Sequence, residues 1–163
     1  MTAPAHKAHK EPHGRYRIDL PAHMAECDAN YVRLARLMPG LSARDERAFD
    51  VVVANLHLRV RMSVLERCPY TSLIELVECA ADAGKAYAIP RPRLRVRLYH
   101  DAKTAEVVEF QNGRRFAAIY PYPNAEMRQP DEKAQINRFL GEYLSLCLIH
   151  GAAIEQPLLV ASG

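Results

Sequence analysis

Residues 129–150 read QPDEKAQINRFLGEYLSLCLIH and are followed by Gly151. At ~100° per residue, Ile136, Phe139, Leu140, Tyr143, Leu144, Leu146 and Cys147 fall in one broad stripe, the pattern of a helix laid lengthwise on a sheet. Pro130 is tolerated in a first turn, and Asp131 and Glu132 complement the positive end of the helix dipole. Gly151 is expected to stop the helix in a left-handed conformation. A helix with so wide an apolar stripe must close a surface, and the chain upstream is expected to supply it.

Working outward, PYPNAEMRQP over 121–130 carries three prolines and reads as neither ladder nor helix. Before it, Leu94, Val96 and Leu98 alternate with Arg93, Arg95, Arg97 and Tyr99, and a turn over His100 to Lys103 leads into Ala105 to Gln111. Asn112-Gly113 is a strong hairpin signal that returns the chain through Arg114 to Tyr120. A connecting loop of two or four residues puts Arg97 opposite Glu106 and Val96 opposite Val107. One sheet face is then expected to carry Leu94, Val96, Leu98, Ala105, Val107, Phe116 and Ala118. The other mixes Arg93, Arg95 and Arg97 with Val108, Phe110 and Ile119, too apolar for plain solvent and too basic for a core.

Further upstream Phe49, Val51 and Val53 alternate with Asp50, Val52 and Ala54. After a turn near Asn55, Leu58, Val60, Met62 and Val64 alternate with His57, Arg59, Arg61 and Ser63. Pro69 breaks the pattern, Thr71 to Cys79 resumes it, and Ala80 to Pro92 reads as a mobile loop. Leu20 to Met38 reads as a helix, capped by Asp19, with Pro21 in its first turn and Pro39-Gly40 at its end. Leu20, Met24, Cys27, Tyr31, Leu34 and Met38 line its expected inner face. Asp28 falls in that stripe, where it is either paired with an Arg of the sheet or acts as an acid in a cleft. The predicted fold is α+β: an N-terminal helix, a mainly antiparallel sheet of about five or six strands and a long C-terminal helix, both helices on one face. Residues 1–14 are expected to be a disordered His-rich tail, 15–152 one domain and 153–163 a C-terminal tail.

A chain of 163 residues has room for one such domain. Its formal charge is only +3, yet 17 of its 22 basic residues are Arg, the better residue for gripping phosphate or carboxylate with a fork of donors. So small a net charge argues against nucleic acid without excluding it. Cys27, Cys68, Cys79 and Cys147 show no CxxC spacing and read as small hydrophobes of a reduced cytoplasmic protein. No apolar run is long enough to span a membrane.

There is no Gly-rich phosphate loop, GxSxG or HExxH, so no cofactor is expected. His6, His9 and His13 lie in a tail with no fixed geometry, so no metal site is expected either. Three roles are open. The first is a non-enzymatic adaptor or regulatory module that binds a protein partner through Val108, Phe110 and Ile119. The second is a binder of a nucleotide, small anionic metabolite or nucleic acid through Arg93, Arg95, Arg97, Arg59 and Arg61. The third, with least support, is an enzyme whose cleft draws on Asp28, His100, Asp101 and Lys133.

Three long segments in order, CDANYVRLARLMPG, VRLYHDAKTAEV and YPNAEMRQPDEKAQINRFLGEYLSLCLIHG, resemble the YqiB-like family of bacterial proteins of unknown function. The resemblance runs from about Tyr16 to Ala152. It implies a cytosolic bacterial protein and carries no catalytic residue, cofactor or activity with it.

Overall fold

The elements follow in the order α1 (Leu20–Leu37), β1 (Glu46–Val53), β2 (Leu56–Arg67), β3 (Thr71–Cys79), β4 (Arg93–Tyr99), β5 (Thr104–Gln111), α2 (Glu132–His150) and β6 (Gly151–Ile154). The structure is a computed structural model and describes residues 19–79, 92–111 and 132–154. The expected tail, the loop from Ala80, the Asn112-Gly113 turn and the strand from Arg114, with Phe116, Ala118 and Ile119, lie outside the described residues.

The start of α1 is as written in the sequence: the Asp19 carboxylate accepts the Ala22 N–H at 3.1 Å, and Pro21 sits in the first turn. At the other end the Met38 N–H returns to the Leu34 carbonyl, and Gly40 takes the left-handed φ of 76° that turns the chain away. The strands form one antiparallel sheet in the order β5-β4-β3-β2-β1-β6. Successive strands from β1 to β5 are neighbours, and β6 returns to the far edge beside β1. The loop after β4 has four residues between Tyr99 and Thr104, and it sets Arg97 opposite Glu106 and Val96 opposite Val107, the predicted register.

The two helices share one face. Phe49, Val51, Leu58, Val60, Met62, Ile74, Leu76, Leu94, Val96, Leu98, Ala105 and Val107 turn toward it, and Leu34, Leu37, Ile136, Phe139, Leu140, Tyr143, Leu144 and Cys147 come down from the helices to complete the core. Removing each of the large aliphatic side chains from water contributes about 1.5–3 kcal/mol. The C-terminal helix is therefore the roof that its stripe predicted.

Three expectations need correction. Gly151 does not take a left-handed conformation; it provides space, because a Cβ there would lie 2.2 Å from the Cys147 carbonyl oxygen as α2 runs straight into β6. The inner face of α1 is rotated. Cys27, Asn30, Leu34 and Leu37 are buried, whereas Leu20 and Met24 are each 58% exposed and Asp28 is on the surface. The cause is that α1 packs against α2 as well as β5, so its buried stripe faces the corner between them. Finally, the register of β4 and β5 slips by one between Arg95 and Val96, leaving Val108 as an extra residue. That bulge inverts the facing beyond it. Phe110 pairs with buried Leu94 and meets Phe139 of α2 at 5.8 Å between ring centroids, on the helix side rather than beside the arginines.

Asn137 of α2 ties these elements together. Its Oδ1 accepts the Val107 N–H at 2.9 Å beside the bulge, its Nδ2 donates to the Lys133 carbonyl at 2.7 Å, and its own carbonyl accepts from Asn30 Nδ2 of α1 at 2.8 Å. Asn30 Oδ1 in turn accepts from Arg33, which also holds Glu26 at 2.6 Å. Gly141, one turn on from Asn137, makes room for this chain, since a Cβ would sit 2.0 Å from Glu26 Oε1 and 3.0 Å from Asn30 Oδ1. Both asparagines are fully buried. Replacing Asn137 by Ala leaves a buried N–H and the Asn30 network without their fit, so Asn137→Ala is expected to cost about 2–4 kcal/mol in urea unfolding, against less than about 0.5 kcal/mol for exposed Arg138→Ala.

Candidate functional site

On the face away from the helices, charge is arranged in pairs. Arg95 on β4 donates to Glu75 on β3 at 3.1 Å and to Glu109 on β5 at 2.9 Å; Arg93 lies 3.7 Å from the same Glu75, and Arg97 lies 3.8 Å from Glu66. Arg59 grips both oxygens of Asp50 at 2.7 and 3.0 Å, and this bond outweighs the partial burial of the Asp50 carboxyl and holds its pKa down. Arg95 is held above its ordinary pKa first by its bond to Glu75 and then by the charge of Glu109. Among the described residues only Arg61 of the five predicted arginines has no carboxylate beside it. It is exposed on β2, opposite Ala48 and Val77. Val108 is 48% exposed at the bulge, and Ile119 is outside the described residues.

At the β5 edge Lys133 Nζ meets Glu106 Oε2 at 2.7 Å, and the Tyr99 hydroxyl donates to Glu106 Oε1 at 3.0 Å. Burial pushes the Glu106 carboxyl up, but the two hydrogen bonds and the Lys133 charge overcome it and the net shift is downward. Lys133 is raised in turn, chiefly by its bond to Glu106. Cys27 is pushed up to about 11 by burial first and Glu106 next, and Cys147 up to about 12 by burial alone, so both thiols stay protonated.

A concave feature lies at the other end of α1. A cleft of about 420 Å³ opens between the end of α1, the connection after it, the turn from β2 to β3 and the turn from β4 to β5. His100 sits in it with both ring nitrogens engaged: Nε2 meets Ser72 Oγ at 2.8 Å and Nδ1 meets the Tyr31 hydroxyl at 3.1 Å, with the two rings edge to face. The His100 N–H of the backbone donates to the Tyr70 carbonyl at 2.8 Å and fixes the turn. Arg67 straps the opposite wall, donating to the Leu41 and Arg44 carbonyls and to Asp45. The Cys68 thiol, exposed at the rim, donates to Glu66 at 3.2 Å.

Of the predicted catalytic group, then, His100 is in a cleft, Lys133 is bonded to Glu106 at the sheet edge, and Asp28 and Asp101 are exposed. Sequence reasoning missed Ser72 and Tyr31. Ser72 did leave a signal: it is a hydroxyl in the inward row of Ile74 and Leu76, only 4% exposed, where a polar atom needs a partner. Among the described residues no group of three or more His, Cys, Asp or Glu is placed to hold a metal ion, and no helix is long and apolar enough to cross a membrane.

Residues 33–153, which span the α1 end of the cleft, the sheet and all of α2, match the family described as protein of unknown function (DUF1249). The chain belongs to that family. It is 42% identical over 138 residues to proteins called "Uncharacterized protein YqiB" from Escherichia coli K12 and from Escherichia coli O157:H7, a match covering 85% of this chain and 94% of each relative. No solved structure matches the chain.

The Glu106 cluster gives a pH signature. A carboxyl whose folded pKa lies below its ordinary value of 4.5 adds stability above that value and loses it as pH falls through the lower folded one. The urea midpoint is therefore expected to drop between about pH 5 and pH 3, and Glu106→Gln to start lower at neutral pH and fall less over the same interval.

Proposed function

We propose that this protein is a non-enzymatic, cytosolic adaptor or regulatory binding module that receives a protein partner on the sheet face opposite its helices. The observation that supports it is the pairing of charge on that face. Arg93, Arg95, Arg97 and Arg59 already have Glu75, Glu109, Glu66 and Asp50 beside them, so a phosphate-rich ligand would meet a carboxylate along with each of these four guanidinium groups. A protein surface of mixed charge suits such a pattern, and Arg side chains with aliphatic stems are enriched in interfaces of this kind. The same pairing argues against the nucleotide or small-anion role for these arginines. Arg61, flanked by Ala48 and Val77, is the position left for a partner's carboxylate. Four free cysteines, two of them buried, suit a reducing compartment.

The test places a photocrosslinking side chain at Val52, which is exposed on this face, and a control at Glu142 on the outside of α2. One discrete adduct is expected from position 52 in cells and none of the same mass from position 142. Arg61→Glu, at an exposed site where folding is unaffected, is expected to weaken the adduct about tenfold, equivalent to roughly 1.4 kcal/mol. Reversing the crosslinked acidic residue of the partner to Lys is expected to restore it. No adduct from position 52, or one indifferent to Arg61→Glu, rules this role out.

A further inference from the structure

The geometry points to a second site, independent of the open face: the His100 cleft is a binding site for a small monocarboxylate with an aromatic or branched aliphatic body. At about 420 Å³ it falls within the size of small-molecule pockets, roughly 300–1,000 Å³. Ala35, Met38, Leu41, Pro69 and Leu98 give it apolar lining.

Its uncommitted polar groups are mainly donors. An imidazole ring carries at least one N–H, so of the two hydroxyls on the His100 ring at least one accepts from it. A hydroxyl that accepts, Tyr31 or Ser72, keeps its own proton for a ligand. Arg67 spends three of its N–H groups on Leu41, Arg44 and Asp45, one each from Nε, Nη2 and Nη1. A guanidinium has five, which leaves two. A cleft with apolar walls, a spare hydroxyl proton and a cation with spare donors selects an acceptor that carries negative charge, and a planar carboxylate matches the Arg67 fork. The ion pair with Asp45 does not close the site, because Asp45 is itself largely in solvent and screened.

Cys68 at the rim reports occupancy. With the full chain, alkylation of Cys68 by iodoacetamide is followed by peptide mass spectrometry, with Cys79 on the far sheet face as internal control. The probes are benzoate and its neutral isostere benzamide. Fragments of this size bind at about millimolar dissociation constants, so benzoate at about 10 mM is expected to slow Cys68 about threefold or more, with Cys79 unchanged and benzamide without effect. Ala35→Phe, which fills the cleft from an exposed position without removing a hydrogen bond, is expected to abolish the protection, and Ser72→Ala to weaken it. Equal protection by benzamide overturns the carboxylate assignment. So does protection that survives Ala35→Phe, and so does no protection by benzoate in the unsubstituted protein.

Discussion

The bond from the Val107 N–H to the side-chain amide of Asn137 joins the bulged strand β5 to α2, the longer of the two described helices. A strand with a bulge has a broken ladder, and a backbone N–H left there without a partner costs about as much as a whole hydrogen bond contributes. Asn137 supplies the partner from α2, and the same residue receives Asn30 from α1. The two helices and β5 are thereby set against one another by directional contacts, where apolar packing alone would allow sliding. Buried amides of this kind stabilise less than they specify. They decide which of several well-packed arrangements is adopted.

Much of this was legible in the chain and some was not, for reasons that can be named. The helix cap at Asp19, the alternation through β2 and β4, and the register across the four-residue loop are local, and local chemistry fixes them. The Val108 bulge is not local: nothing in TAEVVEF marks one valine as supernumerary, and a single extra residue carries Phe110 to the opposite face. Asp28 was misread because a helical wheel shows an amphipathic stripe without saying how many neighbours share it. With α2 on one side and β5 on the other, the buried corner took in Asn30 and left Met24 and Asp28 outside. β6 is four residues, Gly-Ala-Ala-Ile, of which the first three favour strand poorly, and its strand character comes from pairing with β1 more than from propensity.

The candidate site was half visible. His100 stood out as a histidine at a strand end, but its partners come from positions 69 and 28 residues away along the chain, and long-range pairings of that kind are created by the fold. One wall of the cleft is the α1 to β1 connection, which Arg67 ties to the end of β2 at three points.

The excess of Arg over Lys finds its explanation in the same geometry. Arg33 spans Asn30 and Glu26, Arg47 reaches the Leu37 carbonyl while stacking over Phe49, Arg67 takes three acceptors, and Arg95 bridges two carboxylates on two neighbouring strands. A lysine ammonium could make some of these contacts singly, but it lacks the planar fork that reaches separate acceptors at once. Among the described residues, most of the apparent appetite for an anionic partner is thus consumed within the fold. Arg61 on the open face and Arg67 at the cleft are, among the described residues, two places where it is not, and the first lies on a broad surface while the second lines a pocket.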